Sequence, residues 1–408
     1  MLFPLALRRI TCADLVVRTS YQVGKTPLLP LFAASLGAGE LLVGAIVSVS
    51  TLTGMLLKPI FGWLSDSRGR KLWLLIGLAL FSGVPFLYSL VDTPGQLFVL
   101  RLIHGLATAI YGPVTLAVVA EMAMTGRGER LGWFGMARTG SYLLAPLLAA
   151  WLLTWLQPST VFTLIGFVSC LAFVPVLKMD LSSAPAVTAG RGHRYVLDSC
   201  KTACSAVLSS TGLWLASALE LLVYIVTYSI KGFLPLYALY IADVNLLVVG
   251  LFFTVQEAAH LLMRPFGGRF GDKKGYLVAV NSGYLFLTVG VLLLPYVTTD
   301  IEFLLIAVLI GAGQGLIFPS TVALVSVAIN ARHLGAGMGM LGTVRNFGKV
   351  VGPVMAGVLI TRLDYSQFFH ITALMMLLAM LTILVVQKFR LGRIRMSLDA
   401  PSYTTLDL

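Results

Sequence analysis

A displacement of 206 residues lays this chain on itself, polar residues included. Asp14 falls on Glu220, Lys25 on Lys231, Lys58 on Arg264, Gly62 on Gly268, Asp66 on Asp272, Gly69 on Gly275 and Pro113 on Pro319. One residue of drift later, Arg138 falls on Arg345 and Pro146 on Pro353. Apolar residues would match by chance in a chain that is 58% hydrophobic; acids, bases and prolines inside apolar runs would not. The chain is therefore two copies of one half. Duplicated membrane-embedded halves place a binding site where they meet, near the bilayer midplane.

Only 11% of the 408 residues are charged and the mean hydropathy is +0.92, which marks a polytopic membrane protein. Twelve apolar spans are expected at roughly 10–36, 39–63, 72–91, 97–121, 131–156, 158–178, 210–240, 244–268, 276–298, 301–329, 334–361 and 366–388. Most are long enough to cross a hydrocarbon core of about 30 Å, and they are too long for barrel strands, so the expected fold is all-α. Two six-helix bundles are expected, at residues 1–178 and 210–388, joined by a cytoplasmic linker at 179–209 and followed by a cytoplasmic tail at 389–408.

Lys and Arg gather on one set of loops, including Arg70, Lys71, Arg130, Arg191, Lys273 and Arg332. The opposite set holds only Arg362, beside Glu40, Asp92, Asp243, Asp300, Glu302 and Asp364. By the positive-inside rule both termini face the cytoplasm of a cell whose inner (plasma) membrane the chain crosses. This asymmetry accounts for the net charge of +12 without a nucleic-acid partner. No cleavable leader is expected, because the first apolar run is too long and too polar inside. Cys200 and Cys204 fall on the cytoplasmic side without histidine support, so neither a disulfide nor a metal site is expected.

The loop after the second span runs Gly62-Trp63-Leu64-Ser65-Asp66-Ser67-Arg68-Gly69-Arg70-Lys71, and its copy runs from Gly268 through Asp272 to Gly275. This pattern resembles the signature loop of the major facilitator superfamily. The segment Pro27-Leu28-Leu29-Pro30-Leu31 looks like the first helix of that family's proton-coupled drug-antiporter branch. The resemblance implies that Gly62, Asp66, Arg68, Gly69, Arg70, Lys71 and Asp272, with Glu121 opposite, form a conformational latch. It also implies a link to proton coupling for Arg101, which opens the fourth span one turn before His104. The residues themselves allow plainer readings: positive charge as a topological anchor, Asp66 as a helix cap, Gly62 as a site of close helix approach, and Arg101 as a structural arginine. The fifth span departs from the antiporter pattern, with alanines where glycines are expected and Arg138 intruding.

Several spans carry ionisable residues on one face. Asp14, Arg18, Gln22 and Lys25 share a face of the first span; Glu220, Tyr224, Tyr228 and Lys231 repeat that spacing on the seventh. Glu257, His260 and Arg264 lie along the eighth, and Arg345 and Lys349 along the eleventh. Such residues mark a substrate or ion path by default, and the alternative is a set of buried ion pairs. Glu257, with His260 beside it, is the expected protonation site, and Asp14 is the second acid considered. Arg18, Gln22, Lys25, Arg138, Glu220, Tyr224, Tyr228, Lys231, Arg345 and Lys349 are the expected cavity residues. Lys58 and Arg264 are expected to snorkel away from it.

The expectation is a monomeric, cofactor-free, proton-coupled secondary transporter working by alternating access. Its expected cargo is a small amphipathic or anionic organic compound, with efflux as the favoured direction. Uptake of an organic anion or metal chelate, and a membrane sensor without flux, are the competing readings. No phosphate-binding loop is present, and no nucleophile–base constellation supports an enzyme.

Overall fold

The computed structural model describes residues 5–122, 127–179, 205 and 207–398. Most of the expected linker lies outside these residues, with Arg191, Cys200 and Cys204, and so does the end of the tail. Among the described residues the regular structure is entirely helical. The first crossing is two helices, α1 (Leu5–Val23) and α2 (Leu28–Ser35). Then come α3 (Glu40–Arg68), α4 (Arg70–Leu87), α5 (Pro94–Met122) and α6 (Arg127–Leu153). The sixth crossing is α7 (Pro158–Cys170) with the short α8 (Phe173–Leu177). The second half runs α9 (Thr211–Tyr240), α10 (Leu246–Lys274), α11 (Tyr276–Leu293), α12 (Asp300–Ala328), α13 (Leu334–Arg362) and α14 (Tyr365–Leu398).

The sequence displacement is also the structural one. α3, α4 and α5 begin and end 206 residues before α10, α11 and α12, and α1 begins 206 residues before α9. Helix contacts repeat with it. A Cβ on Gly105 would stand 3.0 Å from the Ser50 carbonyl oxygen, and one on Gly311 would meet the Gln256 carbonyl, the equivalent atom. Small residues of this kind let helix backbones approach where lipid supplies no hydrophobic drive between helices.

Among the described residues, ten helical segments are long and apolar enough to cross a membrane. The two crossings outside that set are the first, which carries Asp14, Arg18 and Lys25, and the eleventh, which carries Arg345 and Lys349. Their polarity is tolerable because it faces protein and cavity. The first crossing is expected to be continuous and is not: residues 24–27 form a turn. Pro27 lacks an amide hydrogen and disfavours helix at Thr26, so the ladder stops there. α14 continues past the apolar span to Leu398.

Packing divides the molecule into two ends. One apolar cluster includes both halves, with Leu29, Phe32 and Val43 beside Phe233, Tyr237 and Ala356. A second cluster is confined to the first half (Ile10, Leu78, Val114) and a third to the second half (Leu213, Val325, Leu341). Where the halves join, a Cβ on Gly44 would overlap Pro353, and one on Gly250 would stand 2.8 Å from the Pro146 carbonyl oxygen. Thr254 donates a hydrogen bond across the join to the Leu143 carbonyl at 3.0 Å. Toward the opposite end, Gly132, Gly135, Gly335 and Gly339 have open space where a side chain would stand. The halves are thus sealed at the end holding Glu40 and Arg362 and parted at the end holding the basic loops.

Candidate functional site: a basic cavity between the halves

A cavity of about 110 Å³ opens between the halves, lined from the first half by Arg18, Tyr21, Gln22 and Lys25 and from the second by Tyr228 and Lys349. It adjoins a much smaller space of about 20 Å³ that also touches Gln22, Lys25 and Tyr228 and is closed by Lys231, Phe253 and Glu257. Lys25 sits on the turn that interrupts the first crossing, and Lys231 on the unbroken helix α9. Both ammonium groups face the Tyr228 ring, at 5.5 and 5.6 Å from its centroid. Lys349 approaches the same ring at 5.5 Å and the Tyr224 ring at 5.1 Å. Attraction of cations to aromatic faces holds the three ammoniums at one place despite their mutual repulsion.

Counter-charge is distributed unevenly. The Lys231 Nζ donates to Glu257 Oε1 at 2.8 Å, and His260 Nδ1 lies 3.4 Å from Glu257 Oε2. Among the described residues Lys25, Lys58 and Lys349 have no ion-pair partner. Lys58, expected to point away, lines the cavity, because the parted end of the molecule leaves its side chain facing the cleft. Arg264, also expected to point away, donates its Nε to His260 Nε2 at 3.1 Å and lines a side recess with Tyr224, Phe318 and Arg345.

Two expected pathway acids are instead clasped within their own halves. Asp14 accepts Arg18 Nε at 3.0 Å and Arg138 Nε at 3.0 Å, joining α1 to α6. Glu220 accepts Arg345 and the Thr321 hydroxyl, joining α9 to α13 and α12. Asp14, Arg138 and Glu220 are not among the residues lining the central cavity, and each is held in an ion pair within its own half. Asp14 and Glu220, Arg138 and Arg345 are repeat partners, so one ion pair has been kept in both copies.

Arg101 is also away from the cavity wall. It is 1% exposed and donates to the Ser50 hydroxyl at 2.5 Å and the Tyr88 hydroxyl at 3.3 Å, while Tyr88 bonds His104 Nδ1 at 3.0 Å. The second half has amides at this depth: Gln256, the repeat partner of Ser50, donates to Gln314, which donates to Thr227.

In the signature loop, Arg70 bonds Asp66 at 3.0 Å and Glu121 at 2.7 Å, tying the ends of α3 and α5 to the start of α4. Gly69 and Gly275 join consecutive helices at φ of 91° and 99°, a backbone that side-chain-bearing residues rarely adopt. No side chain caps the start of α4, where Gly69 is the N-cap, and the Asp66 carboxylate pairs with Arg70. A Cβ on Gly62 would have nothing within 4 Å, so no helix approaches closely at this glycine. The Arg68 side chain lies outside the described residues. Lys71 is exposed, and Asp272 accepts the Tyr276 hydroxyl at 3.1 Å.

Tyr142, Thr51 and Thr108 also stand in the cavity wall, and sequence reasoning missed them. The repeat carried the signal for two of them. Tyr142 is the partner of Lys349, and Thr51 is the partner of Glu257.

Two six-helix halves, sealed at one end around a central cavity, define a membrane transporter and not an enzyme. The chain belongs to the Major Facilitator Superfamily, whose profile matches residues 24–300 and, again, 216–399. It is similar to the uncharacterized MFS-type transporter YuxJ of Bacillus subtilis, at 26% identity over 85% of this chain and 88% of that protein. It is likewise similar to the multidrug resistance protein MdtG of Escherichia coli, at 25% identity over 85% of this chain and 86% of that one. The nucleoside transporter NupG has the same fold, with a TM-score of 0.79 at 13% identity over 94% of this chain and 99% of that one.

Proposed function

We infer that this chain is a secondary transporter moving a small organic anion, with aromatic or other apolar surface, by alternating access. The observation that carries this reading is that Lys25 and Lys349, from opposite halves, both approach the Tyr228 ring and neither has an ion-pair partner among the described residues, the nearby Glu257 being bonded to Lys231. Unpaired charge in a low-dielectric cavity is costly, and a bound anion relieves that cost while drawing the halves together. The tyrosines around it supply area for an apolar body. A cationic cargo would need the reverse excess of charge.

The distribution of basic loops supports an orientation with the parted end and both termini in the cytoplasm of a cell with this protein in its inner membrane. In that orientation the cavity is open inward. The name of a relative, the multi-drug resistance efflux pump PmrA homolog of Lactococcus lactis, supports export as the direction. Proton coupling is assigned to Glu257, the carboxylate shared by Lys231 and His260 at the cavity edge. The working unit is one chain, since both halves of the cavity come from it.

Flux in proteoliposomes tests the reading. Carboxylate-bearing probes such as benzoate or citrate should accumulate against their gradient under an imposed pH gradient of one sign only. Glu257→Gln should lose that drive and keep exchange of probe for probe. Equal flux at either sign would remove the coupling, and no flux of any anion would remove the function.

A further inference from the structure

The second half displays a carboxylate bound to its own lysine, and the first half has the same lysine without the carboxylate. Glu257 bonds Lys231 at 2.8 Å. At the equivalent positions Lys25 is retained, Glu257 is replaced by Thr51, and His260 is replaced by Gly54. The equivalence is structural as well as numerical. α3 and α10 begin and end at the same displacement, and the helices that pack on them, α5 and α12, make the same glycine contacts at Gly105 and Gly311. Thr51, Lys25 and Thr108 line one cavity. Thr108 stands where the second half has Gln314, and it reaches in because Gly54 has no side chain: a Cβ there would be 2.5 Å from the Thr108 hydroxyl.

We propose that Lys25 and Thr51 form the subsite for the anionic group of the substrate, a carboxylate, which takes the place that Glu257 occupies beside Lys231. Glu257 is thus an internal copy of the ligand's head group, and the missing acid at position 51 is the specificity determinant. The Lys25 ammonium donates to the incoming carboxylate, and the Thr51 hydroxyl supplies a second donor. Lys349, across the interface, faces the same ligand from the other half. The inference rests on the anion reading above and sharpens it by naming where the charge sits. It also explains why two lysines kept from one ancestral position have different surroundings.

Thr51→Glu tests it directly by giving Lys25 the partner Lys231 already has. The ligand-free variant should melt higher than the wild type, and Lys25→Gln should cancel the gain in the double variant. Benzoate, succinate or citrate should raise the melting temperature of the wild type and of Thr51→Ser, and leave that of Thr51→Glu and Lys25→Gln unchanged. If Thr51→Glu keeps the wild-type response to these carboxylates, or if its effect on melting is the same with and without Lys25, the subsite is wrong while the anion reading stands. If none of the three carboxylates shifts the wild type, the anion reading falls and the subsite falls with it.

Discussion

The first and second bundles are built from one plan and differ where it matters for transport. Each holds an acid of its first helix against an arginine of its fifth, Asp14 with Arg138 and Glu220 with Arg345. Each turns from its second helix to its third through a glycine at positive φ. Around the cavity the correspondence keeps the lysine and loses its acid. The first bundle breaks its first helix at Lys25 and leaves that lysine unpaired; the second keeps α9 continuous and pairs Lys231 with Glu257. What duplication retained is the scaffold, and what it let diverge is the wall of the cavity.

Removing the acid of each clasp should have the largest effect. Asp14→Asn leaves two guanidiniums facing each other in place, and Glu220→Gln leaves one. Orphaning a buried charge costs about 3–5 kcal/mol. Both variants should melt well below the wild type, Asp14→Asn the lower of the two; a loss under about 1 kcal/mol for either would break the idea of a shared structural clasp. The lysine pair should come next. Lys25→Gln should weaken carboxylate binding at least tenfold, about 1.4 kcal/mol, whereas Lys231→Gln should act on Glu257 and disturb coupling first. Equal loss of binding from the two would erase the difference between the halves.

Smaller effects probe the packing. Gly105→Ala and Gly311→Ala should each cost about 1–3 kcal/mol, because the added methyl meets backbone in both bundles. Gly62→Ala should stay within about 0.5 kcal/mol, since nothing stands near it in this conformation. The contrast between these two sets, read by thermal melting in detergent, checks which glycines hold helices together.

Much of the fold is readable in the chain. Polar residues at a fixed displacement reveal the duplication, and apolar runs mark the crossings. The break in the first crossing is marked by Pro27 but masked by the apolar run that continues on both sides of it. The site is legible in type and not in partnership. Asp14, Glu220 and Glu257 are visible as acids in apolar spans, but each has a partner on another helix: Arg138 lies 124 positions from Asp14, Arg345 lies 125 from Glu220, and Lys231 lies 26 from Glu257. Helix periodicity reports neighbours within one helix and says nothing of pairs across helices. Thr51 and Tyr142 carry no charge and so give no signal of their own, although the repeat sets them opposite Glu257 and Lys349.

An anion held between Lys25 and Lys349 can be sought by calorimetric titration of the purified protein with matched acids and amides, benzoate against benzamide and succinate against succinamide. The carboxylates should bind, the amides should not, and the Lys25→Gln/Lys349→Gln double variant should bind neither. Binding of the amides as tightly as the acids, or undiminished binding of acids to the double variant, would contradict an anion site at these lysines.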